Sequence, residues 1–335
     1  MKDYNDDLTL SKEDLQVKID AISMLLHLEN LPEELFTNIL KKIDFRKNVF
    51  SKEINNIIYI EKTYNSGEFN EKQKEEIKQG LDDGLDVEKV KVYTDFNYEA
   101  NKMYVIRQAF SKGLTIEDVE YILSLDLSSK QTEMVVEDYL YGMNKKEIEL
   151  YASSNLKLDD DVVSELRLAV LNRISHDKIA KLINVNFNSD QVRELRKFLE
   201  KSYSNEKMFV LLSQPSYSSE KIRIISMFIE NEYENKLNLE DSQILNFILE
   251  KNFNEEQLKI IYKYYYDKNG SIDFTTINIL CKKDLSANIL DILLDIADKG
   301  YDSYKLSTKI NQNESIDYYK DLSIKLKIEL KNQIR

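Results

Sequence analysis

The stretch 69–97, FNEKQKEEIKQGLDDGLDVEKVKVYTDFN, decides the fold. Phe69-Asn70 sets an apolar residue before a side chain suited to accept a hydrogen bond from a free amide of a first helical turn. Gln73 stands at the third helical position, where its side chain reaches back to the Asn70 amide, the reciprocal pattern of a capping box. Ile77, Gly80 and Leu81 continue the period. Gly84 then suits the left-handed residue that ends a helix, and Asp86 caps a second helix whose apolar face starts at Val90. Another Phe-Asn pair, Phe96-Asn97, follows one helical hairpin later. The stretch predicts helix, tight turn, helix, and the start of the next unit.

Outward from it, the same apolar-then-cap signal recurs at Leu127-Ser128, Leu158-Asp159, Phe187-Asn188, Tyr217-Ser218, Phe253-Asn254 and Leu285-Ser286. Most of these spacings are about 30 residues, a period typical of stacked helical repeats. Gln131, Gln191 and Gln257 repeat the position of Gln73, and a preceding apolar residue can fold onto positions such as Ile77 or Leu195. Within the units, Gly113-Leu114 and Gly142-Met143 repeat Gly84-Leu85, and Thr115 with Asp118 and Asn144 with Glu147 repeat the box at the second helix. Around Arg173-Ile174-Ser175 and Lys201 to Ser204 the period persists without glycine, so those turns are read from the period alone. The expected fold is all-α, an elongated array (solenoid) of degenerate helix-turn-helix repeats of about 30 residues spanning 67–300. Residues 1–66 depart from this grammar. Ser11 begins a helix carrying Leu15, Ile19, Ile22 and Leu26, and Leu31-Pro32 begins another, which predicts an N-terminal helical cap, with a small separate domain as the alternative. Apolar spacing over 316–334 predicts a C-terminal capping helix within 301–335.

Composition agrees. In 335 residues, two prolines and seven glycines leave few helix breakers, and 42% hydrophobic side chains suffice for a large core. The single cysteine, Cys281, forms no internal disulfide, and residues 1–10 carry three aspartates where a signal peptide needs a basic and then an apolar stretch, so a cytoplasmic protein is expected. No apolar run approaches the roughly 20 residues of a membrane span.

The 69–97 segment also resembles a repeat of uncharacterised helical proteins from Gram-positive phages and conjugative elements, whose units read roughly F-x-x-x-Q-M-x-x-I-x-x-G-L-x-x-G-L-D-V-x-x-Y. Phe69, Gln73, Ile77, Gly80, Leu81, Gly84, Leu85, Asp86, Val87 and Tyr93 stand at or near its positions, with Lys74 in place of the methionine. The later units match in outline. Each matched residue has a structural explanation, so the resemblance implies a fold and a genetic setting and supplies no catalytic residue.

Chemistry-bearing constellations are scarce. The two histidines, His27 and His176, belong to no zinc-binding pattern, and there is no phosphate-loop motif. His27 lies in the apolar stretch 24–28 and reads as a core or boundary residue. His176, in a first helical turn, reads as a capping or solvent-facing one. Cys281 ends the apolar run 277–280 and reads as a buried thiol. Asp82-Asp83 and Asp159-Asp160-Asp161 fall in turns and helix starts, where negative charge is favourable without a metal. Asp267-Lys268-Asn269-Gly270 imitates part of an EF-hand loop. Its first and twelfth positions would be Tyr265 and Thr276, removing the leading carboxylate and the bidentate glutamate, so a turn with Gly270 at positive φ is expected. No metal, cofactor or catalytic residue is assigned, and a non-enzymatic protein is expected. An enzyme built from dispersed carboxylates and tyrosines is the class that motif reading does not address.

Charge supplies the candidate site. The chain carries −13, yet 167–223 holds eleven lysines and arginines against six carboxylates, a local +5. Arg193, Lys197 and Lys201 recur every four residues with Arg196 beside them, lining one helix face, while Val192, Leu195 and Leu199 point elsewhere. This face is either merely solvated or a contact for phosphate or for an acidic protein surface. The expected function is an interaction protein with a large protein or nucleoprotein partner and no membrane role. The resemblance implies a phage or mobile-element setting and an inhibitor of a host defence protein such as a CRISPR effector. The alternative is a nucleic-acid-binding helical-repeat protein that uses the basic 167–223 segment.

Overall fold

The computed structural model describes residues 67–152, 158–184, 186–235, 241–267, 272–311 and 313–333, together with Tyr59, Lys62, Thr63 and Leu239. His27 and nearly all of the expected N-terminal cap, 1–66, lie outside the described residues. Among those described, the regular structure is seventeen α-helices and one π-turn, with no strand. No described helix is long and apolar enough to cross a membrane.

The chain divides into two compact units, Met1–Val163 and Ser164–Arg335. That boundary falls inside the span 67–300 read as a single array. The first unit contains α1 (Glu71–Asp82), α2 (Val87–Tyr93), α3 (Ala100–Ser111), α4 (Ile116–Ser124), α5 (Ser129–Leu140), α6 (Lys145–Glu149) and the first turn of α7 (Asp160–Leu171). Within it the longer helices pack in series, α1 on α3 and α3 on α5, while α2 packs on α4. The second unit contains the rest of α7, α8 (His176–Leu182), α9 (Ser189–Leu199), α10 (Glu206–Leu212), α11 (Ser219–Glu234), α12 (Gln243–Lys251), α13 (Glu255–Tyr262) with a π-turn at Lys263–Asp267, α14 (Phe274–Leu280), α15 (Ala287–Asp298), α16 (Ser303–Ser307) and α17 (Ile316–Gln333). Here α9, α11, α13, α15 and α17 pack in series, and α12, α14 and α16 form a second row. The helix expected over 316–334 is α17, whose Tyr319 and Leu326 are buried. Leu195 and Ile225 lie in the core, as their spacing requires.

The helices start where capping chemistry places them. Asn70, Ser128, Asn188 and Asn254 each accept a hydrogen bond from the amide of the glutamine three residues on, whose Oε1 accepts from the cap's own amide. Ser218 and Ser286 cap α11 and α15 by accepting from the Lys221 and Ile289 amides. One register is shifted from expectation, because α3 starts after Glu99 and not after Asn97. The Asn97 amide and its Nδ2 both donate to Asp95 Oδ1 at 2.9 Å, closing a local turn. Phe96 is left 54% exposed, and Tyr98 takes the place before the cap. With this shift Asn70, Glu99 and Ser128 follow one another at equal intervals along the chain.

The capping glutamines also do something the spacing does not foretell. Each is buried, and its Nε2 donates forward to the turn that precedes the next long helix: Gln73 to the Tyr98 carbonyl (2.7 Å), Gln131 to Leu158 (3.0 Å), Gln191 to Tyr217 (2.6 Å) and Gln257 to Leu285 (2.7 Å). Lys102, at the same position of α3, donates to the Leu127 carbonyl at 2.9 Å. In all five cases the acceptor immediately precedes a helix cap. A carbonyl removed from water without a donor costs up to about 1–3 kcal/mol where it is fully buried, as at Leu127 and Leu285, so these bonds favour one spacing of successive long helices.

The turns inside the units follow the glycine reading. Gly84, Gly113 and Gly142 have φ of 87°, 101° and 90°. The amide after each donates to a carbonyl five residues back, Leu85 to Gly80, Leu114 to Ala109 and Met143 to Asp138. Arg173 builds the same turn without glycine. Its φ is 59°, and Ile174 donates to Ala169. Gly80 has a separate reason, since a Cβ there would lie 2.0 Å from the hydroxyl of buried Tyr93.

Candidate functional site

The basic residues singled out above all belong to α9 or the turn after it. The Asn188–Gln191 box starts this helix, and Val192, Leu195, Phe198 and Leu199 bury one side of it. Arg193, Lys197 and Lys201 occupy the remaining surface, but none stands alone. Arg193 Nε meets Glu165 at 2.7 Å and its Nη1 meets Asp190 at 2.8 Å. The Glu165 carboxylate raises the Arg193 pKa above its ordinary value. Lys197 pairs with Glu194 at 2.7 Å, and Lys201 pairs with Glu230 on α11 at 2.8 Å. The side chains of Arg193, Lys197 and Lys201 stay about half exposed. Four carboxylates thus surround these three cations.

Arg196 has a different place. It is buried, bonded to Glu165 at 3.0 Å and to Glu200. Arg107 on α3 is its counterpart, likewise buried and bonded to Glu76 at 3.0 Å and to Asp83. Each arginine lies eight residues after its cap, Asn188 or Glu99. In both cases the glutamate precedes its arginine by 31 residues. The pair is a second recurring contact between neighbouring long helices. Buried arginine–carboxylate pairs of this kind order two helices through fork geometry, and losing one partner strands a charge. The sequence holds a signal for it, namely a common offset from the cap, which helical-face arithmetic on α9 alone does not use.

The local +5 also depends on where the window ends. Glu165 and Glu230 lie just outside 167–223, and over 165–230 the balance is eleven cations against eight carboxylates. What α9 presents is a face of mixed charge.

No protein-family model, curated protein or solved structure matches this chain. The remaining candidates are placed by geometry. Cys281 is buried in the core, and burial pushes its thiol up to about 12, which keeps it protonated and unreactive at neutral pH. His176 is exposed at the first position of α8. Asp83 receives Arg107 and Gln79, whose hydrogen bonds hold its carboxyl below the ordinary range, the Gln79 bond contributing most. Asp160 accepts from the Ser128 hydroxyl at 2.7 Å, and Asp161 pairs with Lys130 at 3.0 Å. In the segment resembling an EF-hand, Asp273 caps α14 by accepting from the Thr276 amide at 2.8 Å. Gly270 and its neighbours at 268–271 lie outside the described residues.

Proposed function

We propose that this chain is a non-enzymatic interaction protein, a solenoid of helix-turn-helix repeats acting in the cytoplasm, whose surface binds a large protein partner. The observation that carries the reading is the forward hydrogen bond from Gln73, Lys102, Gln131, Gln191 and Gln257 to the main chain before the next cap. A bond that recurs between successive long helices is what a stack of similar units needs, and such stacks offer extended area to a partner. The mixed-charge face of α9 supplies a candidate contact through Arg193, Lys197 and Lys201, with Arg196 holding that helix in place. Alternating charges suit the polar rim of a protein interface. A phosphate backbone is the poorer fit, because Asp190, Glu194 and Glu230 stand beside the cations and would repel it. The phage or mobile-element setting, and a host defence protein such as a CRISPR effector as the target, rest on the resemblance of segment 69–97.

Cross-linking in the native host followed by mass spectrometry tests the reading directly. A stoichiometric protein partner that survives nuclease treatment is the expected outcome. Its affinity should fall at least tenfold when Arg193, Lys197 and Lys201 are all replaced by Glu, with the melting temperature little changed. Recovery of RNA or DNA alone, with binding that weakens steeply as salt rises, would replace this reading with the nucleic-acid one. Wild-type affinity of the triple variant at low and moderate salt would remove α9 from the interface.

A further inference from the structure

A second site lies apart from α9, between the C-terminal end of α11, the π-turn after α13 and the start of α14. It begins with Glu232, a carboxylate only 2% exposed. Its Oε1 accepts from the Tyr266 hydroxyl at 2.5 Å and its Oε2 from the Ser242 hydroxyl at 2.5 Å. Among the described residues no lysine, arginine or histidine is paired with it. Removing a carboxylate from water costs several kcal/mol, and two neutral hydroxyls offset only part of that. Each carboxylate oxygen also retains capacity for another donor.

The π-turn explains the aromatic wall beside it. Widening the helix at Lys263–Asp267 brings Tyr262 and Tyr266 against Phe228, with ring centroids 5.2 and 5.6 Å away, and sets Tyr265 edge-on to Tyr266 at 4.7 Å. Next to these rings is a cavity of about 550 Å³, lined by Tyr265, Tyr266, Phe274, Asn231, Glu232 and Asp273 among others, with no lysine or arginine among its described lining residues. Asn231 spends its Nδ2 on the Met227 carbonyl and the Tyr262 oxygen, which leaves its Oδ1 as an acceptor. Burial, with the Glu232 carboxylate beside both rings, pushes the Tyr265 and Tyr266 hydroxyls up, so they remain O–H donors. Ring faces are electronegative, and the oxygens here are carboxylate, amide and phenol. The wall is thus negative and partly apolar, and the complementary ligand is a cation on a short carbon stem.

We propose that this cavity binds an organic ammonium or guanidinium group, with Glu232 as counter-ion and Tyr265, Tyr266 and Phe274 packing around the cation and its stem. This goes beyond the protein-binding reading and does not depend on α9. The same group is carried by a free amine or by a lysine or arginine side chain of another protein, so the test has two arms. The full-length chain is titrated calorimetrically with agmatine and with acetyl-Gly-Arg-Gly-amide, at constant ionic strength, with butylurea as the neutral control. One saturable site for a cationic probe and none for butylurea is expected. A clear preference for agmatine assigns the site to free amines, and a clear preference for the peptide assigns it to a protein side chain. Glu232→Gln should weaken binding at least tenfold. Because that residue also holds Ser242 and Tyr266, Tyr265→Leu serves as a second variant outside that pair of bonds and should weaken binding several-fold with melting unchanged. No saturable heat with either cation, or wild-type affinity in folded Glu232→Gln and Tyr265→Leu, overturns the proposal.

Discussion

The two units solve one joining problem with different tolerance. In the first, Gly84, Gly113 and Gly142 each supply the left-handed turn between the helices of a pair, and the cap-to-cap interval from Asn70 to Glu99 is repeated from Glu99 to Ser128. In the second, Gly300 supplies it again, but Arg173 makes that turn as a non-glycine residue, and the chain passes Lys201 without any left-handed residue. The interval between caps also lengthens there, from Ser218 to Asn254. The forward bond from the third helical position survives in both, as does the buried arginine–glutamate pair. The contrast teaches that the same contact between long helices is compatible with turns built in different ways. A turn needs only an allowed backbone path, whereas a contact must satisfy buried polar groups.

The largest expected effect tests whether the two cores are equally placed. Ile77→Asp in the first unit and Leu195→Asp in the second each put an unpaired charge at a fully buried position. Each should cost about 4 kcal/mol or more by urea denaturation. An unchanged midpoint in either variant would show that the core face of that unit is misassigned. Next come the forward bonds. Gln73→Ala and Gln191→Ala should each lose about 1–2 kcal/mol, since a cap bond goes and part-buried carbonyls lose their donor. Lys102→Gln should stay within about 1 kcal/mol of wild type, because the amide can replace the ammonium as donor to Leu127. A large loss there would mean that the lysine does something the glutamines do not.

The turns come third and sharpen the contrast itself. Gly84→Ala meets no atom within 4 Å, so its cost is conformational, about 1 kcal/mol. Arg173→Gly should instead leave stability unchanged or raise it by up to about 1 kcal/mol, because it relieves a left-handed non-glycine residue at the expense of chain entropy. A loss at Gly84 with none at Arg173 is the result to look for. The smallest effect is electrostatic. Arg223, and after it Lys259, hold the Glu220 carboxyl at about 2, below its ordinary 4.5. A depressed folded-state pKa stabilises fully above the unfolded value and is lost as pH falls through the folded one. The stability difference between wild type and Glu220→Gln should therefore be flat from pH 7 to about 5 and shrink from there towards pH 2. A pH-independent difference would show that Glu220 contributes through packing alone.

Helix starts are legible in the sequence because capping is local. Asn70 and Gln73, or Asn254 and Gln257, announce themselves within a single helical turn. Phe96-Asn97 misleads because Tyr98-Glu99 offers the same apolar-then-polar pattern two residues later, and Glu99 caps without the side-chain bond that would mark it. The forward bonds are half legible. A sequence displays the glutamine donor but not a main-chain acceptor, which any residue type provides. Helical spacing puts Arg196 on the surface because it groups that residue with Arg193 and Lys197, while the partner that buries it, Glu165, belongs to a different helix, α7. The Glu232 cavity leaves no local signature, for it is assembled from α11, the π-turn and α14 and depends on a helix irregularity that periodicity does not reveal.

The forward bond has a consequence for how such a chain grows. Its acceptor is peptide backbone, so the receiving turn is free to be Asp95-Phe96-Asn97 in one place and Lys283-Asp284 in another. A segment of gene duplicated in tandem would bring its own donor and find an acceptor already waiting, with no matching substitution needed in its neighbour. Length can then change by whole modules while exposed side chains diversify, because the forward bond places no requirement on what those side chains are.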